Sequence, residues 1–88
     1  MDFTDLITEF REDYQLPPYL SDDTVKRSLD RAYNFLLPLK PDADFTANPA
    51  KGLLLNGAYY DVQHKFNEFA DNYGPDIRHW QLNAEVSE

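Results

Sequence analysis

Among its 88 residues the chain has no cysteine, one tryptophan, one methionine and three glycines. Without cysteine there is no disulfide framework and no thiolate metal site, which accords with folding in a reducing cytoplasm. The glycines, Gly52, Gly57 and Gly74, stand apart and form no phosphate-binding loop. No run of about 18 consecutive apolar residues occurs, as a membrane-spanning helix would need. The first sixteen residues carry Asp2, Asp5, Glu9, Arg11, Glu12 and Asp13, unlike a signal peptide, so the expectation is a soluble protein with no membrane partner. Basic residues are also scarce. Eight against 16 acidic ones leave a formal net charge of -8, which argues against a nucleic-acid reader that neutralises phosphates with Lys and Arg. It is compatible with standing near DNA without gripping it. Internal repeats and low-complexity segments are absent.

What is present is enough for one core: 42% of residues are apolar and 15% aromatic, so a single domain over residues 1–88 is expected. So small a core gives modest stability, and assembly would add to it. The fold class expected is all-α, a small bundle of three main helices at about 3–14, 22–36 and 49–73. A short C-terminal helix at about 76–82, a long 37–48 loop and a frayed tail from about 83 complete it. In the first helix Phe3, Leu6, Ile7, Phe10 and Tyr14 recur at helical spacing until Pro17 and Pro18 stop the chain. Ser21 or Asp22 opens the second, with Val25, Leu29, Ala32, Tyr33 and Leu36 as its buried stripe and Pro38 at its end.

The longest element, 49–73, begins at Asn48 and Pro49, a capping side chain followed by a residue suited to the first helical position. Leu55, Tyr59, Val62, Phe66, Phe69 and Tyr73 form its stripe, and Gly74 and Pro75 are read as its stop. A helix of that length would run about 37 Å and would need other helices along it. Asn56 and Gly57 interrupt it as a polar residue and a helix weakener, and Gly57 is read as marking close approach by another helix. The 37–48 loop exceeds the usual length of a helical connection. Its apolar members Leu39, Phe45 and Ala47 either pack back on the bundle or serve as anchors for a partner.

The chemistry-bearing residues are few. Asp61, His64 and Glu68, at steps of three and four, would share one side of a helix; the alternatives are a partial metal site and a solvated polar face. His79 is the only other histidine. Ser28, in Arg27-Ser28-Leu29-Asp30, faintly suggests the phosphopantetheine serine of acyl carrier proteins, but that serine follows an aspartate at a helix start, whereas Arg27 precedes Ser28 within a helix. No strand-turn-helix elbow or glycine-rich oxyanion loop supports a Ser/His/Asp site. The aromatic residues lack the basic groove of a base-stacking surface and read as core and interface. No catalytic, cofactor-binding or metal residue is assigned, and no enzyme is expected.

Taken in order, these parts resemble the small head-tail connector proteins of long-tailed bacteriophages and prophages, also described as head-completion, adaptor or DNA-packaging proteins. The likeness covers about residues 5–83. It is carried by the short opening helix, the second helix led by Leu20-Ser21-Asp22-Asp23 and continuing through Leu29 and Ala32, and the long variable loop. Pro49-Ala50-Lys51, the run Ala58-Tyr59-Tyr60-Asp61 with Asn72 and Tyr73, and a terminal Gln81-Leu82-Asn83 complete it. The family often closes on a pattern like Gln-Leu-Arg, and this chain departs from it at Asn83.

The resemblance implies a structural virion protein at the neck, assembled in the host cytoplasm. It would form a ring of its own copies beneath the portal protein, let DNA pass without sequence-specific binding, and dock the next head-completion or tail protein. Leu39, Phe45, Leu53, Leu54, Tyr60, Ile77, Trp80 and Leu82 are the residues assigned to partner or oligomer contacts. The other reading is an acidic helical binding module, such as a phage-encoded inhibitor occupying a basic site on a host protein.

Overall fold

A computed structural model describes residues 3–82, and it is all-α. Helix α1 spans Thr4–Tyr14, α2 Asp22–Leu36, α3 Ala50–Val62, α4 Phe66–Asn72 and α5 Gly74–Leu82, with a 3-10 turn at Leu37–Leu39. Leu6 and Phe10 of α1 are buried, together with Phe3 just before it. The helix closes on Gln15 in the left-handed region (φ 50), where the amide of Leu16 reaches back to the Arg11 carbonyl. Arg11 then holds the corner, donating to the Leu20 carbonyl at 2.6 Å and to Asp22 at 2.8 Å. Ser21 caps α2 by accepting from the Thr24 amide at 3.1 Å. Val25, Leu29, Ala32 and Leu36 are buried, as their spacing predicts, and Ser28 joins them.

The first three helices run up, down and up. Phe3 meets Tyr33 at one end of the α1/α2 pair and Arg11 meets Asp22 at the other, so the two are antiparallel. On α3, Gly57 faces Ala32 and Asp61 faces Ser28, which makes α3 antiparallel to α2. It is parallel to α1, through Lys51 with Glu9 at 2.9 Å and Tyr14 with Asn56 at 2.8 Å. Both apparent blemishes of this helix are thereby explained. Asn56 accepts a hydrogen bond from the Tyr14 hydroxyl, and Gly57 lies where Ala32 and Phe69 crowd in, so that even a Cβ there would fit tightly.

The single helix expected at 49–73 is two. After Val62 the chain turns at His64, which has φ 60. The His64 amide donates to the Asp61 carbonyl at 2.9 Å and the Lys65 amide to the Tyr60 carbonyl at 2.8 Å, the paired bonds of a Schellman close with histidine in the left-handed position. On the register set by Gly57 beside Ala32 and Asp61 beside Ser28, a straight continuation would run toward the start of α2, away from Phe35. The turn instead sets α4 back against α2 and α3, where both rings meet Phe35 edge-on and Phe69 is fully buried.

The ends expected for that helix differ too. Asn48 does not cap it: Pro49 occupies the cap position with no side-chain bond, and α3 starts at Ala50. Gly74 is not its left-handed stop, since no glycine among the described residues has positive φ; it is the first residue of α5, and Pro75 falls in that helix's first turn.

The 37–48 loop packs back. Phe45 is buried with its ring edge-on to Tyr33 at 5.2 Å and to Trp80 at 6.0 Å, and Leu39 is half-buried against the core. Asp44 tightens the turn by accepting from the Thr46 amide at 3.0 Å. The tail expected to fray from about residue 83 lies outside the described residues. Among the described residues, no helix is long and apolar enough to cross a membrane.

Candidate functional site

Of the eight residues assigned to contacts with other chains, five have their surface covered within this one. Phe45, Leu53, Leu54, Ile77 and Trp80 belong to the hydrophobic core, and Leu54 is wholly buried. In the single chain these side chains are spent largely on its own core, and they would meet a second copy fully only if that packing opened. Leu53 and Leu54 lie on a side of α3 that seemed surplus because the core stripe was read from one face. In fact Leu53, Leu54 and Leu55 are all buried, so α3 is covered on several sides. Leu39 and Tyr60 are half-buried, and Tyr60 accepts a hydrogen bond from Asn72 at 3.2 Å. Leu82 alone is open to solvent, at 79%.

Among the described residues, the most exposed large apolar one is a residue to which the sequence did not point. Tyr19, 83% exposed, stands in the corner after Pro17 and Pro18. It rims a shallow groove of about 360 Å³ whose walls include Tyr14, Leu16, Pro17, Tyr59 and Val62. The groove exists because the left-handed close of α1 and the prolines swing the chain across the end of α3. Tyr14 and Tyr59 stack obliquely on its floor at 4.9 Å. Burial, and to a lesser degree Tyr73, Asp13 and Tyr59, push the Tyr14 phenol above its ordinary value, so it stays a neutral donor to Asn56. The available signal was Pro17-Pro18-Tyr19-Leu20, an aromatic placed where neither flanking helix can cover it.

The polar candidates do not converge on a reaction site. Asp61 faces α2, accepting from Ser28 at 2.7 Å and pairing with Arg31 at 3.0 Å. His64 sits in the turn after α3 and Glu68 on α4, so the helical register that would have aligned the three is broken between them. Among the described residues no group of three or more His, Cys, Asp or Glu is placed to hold a metal ion. Ser28 is 3% exposed and its proton goes to Asp61, a position closed to a modifying enzyme. The arrangement suits contact by shape and apolar surface. Comparison of the chain with family models, curated proteins and solved structures returned no match.

Proposed function

We propose that this chain is a structural bacteriophage protein, a head-tail connector that forms a ring beneath the portal, lets DNA pass through the central channel and docks the next neck or tail component. The sequence resemblance suggests the reading. One geometric observation supports it best: among the described residues, the two most exposed large apolar side chains lie toward opposite ends of the bundle.

Tyr19 immediately precedes α2. Leu82 follows Trp80, whose ring reaches Phe45 and through it Tyr33, near the other end of the same helix. The 15 residues of α2 separate these two ends by roughly 22 Å. A closed ring is built from a heterologous contact, in which one patch of each subunit meets a different patch of the next. Two exposed apolar side chains set apart on one small subunit are compatible with such a contact. The net charge of -8 suits a channel that DNA must slide through, because a wall that bound phosphates would hold it.

The test is the composition and shape of particles. Purified virions of a phage encoding this chain should contain it in multiple copies per neck, and electron microscopy of the neck should show it as a ring. Absence from virions, together with a tight equimolar complex with a basic host protein, would replace the connector with an inhibitor.

A further inference from the structure

We infer that α5 is an arm latched to the bundle by Lys40, and that it opens as a unit before the rest of the chain unfolds. The proposal stands whether or not the chain is a connector. Among the described residues, α4 is the only helix along which α5 packs at length, and only Ile77 and Trp80 of its nine residues are buried. Trp80 reaches the rest of the bundle through the loop, by way of Phe45. The second tie is Lys40. Its Nζ donates to the Trp80 carbonyl at 2.8 Å and lies 5.7 Å from the centre of the indole ring. A cation at the carbonyl end of a helix is favourably placed against the helix dipole, and over an indole face it is attracted again.

One feature opposes this closed state: the Trp80 indole N–H is buried with no acceptor among the described residues. That group is hydrated when the arm swings away, so opening regains what its burial costs. The joint is not packed over at Gly74, where nothing lies within 4 Å of where a side chain would stand. Elements held by few buried apolar contacts are the ones that open first in native proteins. Opening would bare Phe45, Ile77 and Trp80, which the sequence points to as contact residues and the closed form hides.

Trp80 is the single tryptophan, so its emission reports on the arm alone. In a urea titration the emission should shift to that of a hydrated indole before the bulk of the helical far-UV circular dichroism is lost. Lys40→Met, which keeps the stem and removes the charge, should lower the emission midpoint and leave the circular-dichroism midpoint in place. An equal fall in both would make Lys40 a general stabiliser, and an unchanged or raised emission midpoint would remove it as the latch; either result overturns the proposal. Hydrogen exchange on the unaltered chain gives a second readout. Amides at 78–82 should exchange at least about tenfold faster than those at 54–58 without denaturant. Equal protection, or coincident transitions in the unaltered chain, would mean that α5 belongs to the cooperative core.

Discussion

A methyl group on Gly57 would stand 3.1 Å from the Ala32 Cβ and 3.1 and 3.2 Å from two ring carbons of Phe69. Ala32 is part of a packed helix and Phe69 is fully buried, so neither yields without a shift of its whole element. Gly57→Ala therefore sets about 1 kcal/mol of helix propensity against about 1–3 kcal/mol of overpacking. The expected outcome is a net loss of stability, read as a lower urea midpoint; a stabilised variant would show that α2 and α3 can separate freely. Tyr14 offers a test by pH. Its phenol is raised above the ordinary value of 10.0, chiefly by burial. Its stability contribution is fully present below pH 10 and is lost as pH rises through the higher folded value. The urea midpoint should fall as pH rises from 10.0 through the folded value, and Tyr14→Phe should make the fall shallower. At this scale the sequence was legible as a pattern. Val25, Leu29, Ala32 and Leu36 are buried as their spacing predicts, because a period needs no knowledge of the neighbour. The partner of Asn56 was not legible, because Tyr14 lies 42 positions away and only packing brings them together.

At the scale of elements, the decisive residue is His64. Left-handed geometry crowds any side chain against the backbone, at roughly 1–2 kcal/mol for an ordinary residue, and glycine escapes that cost. His64→Gly should raise the stability by about 1 kcal/mol, while His64→Val should lower it because a branched Cβ fits that region worst. Thermal unfolding followed by circular dichroism measures both, and equal midpoints for the two would count against the turn. Periodicity could not reveal this break. Val62, Phe66 and Phe69 keep steps of four and three across it, since both α3 and α4 turn apolar residues inward, and a pattern of sides carries no information about axis direction. Punctuation misled as well. Gly74 marks a real boundary between helices, but the histidine ten positions earlier closes α3 without the glycine that usually signals such a close.

For the molecule as a whole, the prediction concerns surfaces. Tyr19→Asp and Leu82→Asp alter side chains that are almost entirely exposed, so the urea midpoint should move by no more than about 0.5 kcal/mol in equivalent stability. On the connector proposal, either change should abolish incorporation into virion necks, as measured by the copy number of the chain in purified particles. Normal incorporation of both would remove these patches from any ring contact. By itself the sequence determined that the chain is helical, where α1 and α2 lie, and that the surface is strongly acidic. These follow from local rules: apolar spacing, proline, capping serine and net charge act over a few residues or sum over all of them. Only the tertiary structure decided that 49–73 bends at His64, that Phe45, Leu53, Leu54, Ile77 and Trp80 are core, and that Tyr19 and Leu82 are left in the open. The physical reason is that burial belongs to pairs of elements. An apolar residue is hidden when another element arrives to cover it, and which element arrives depends on turns and distances that no single stretch of the chain contains.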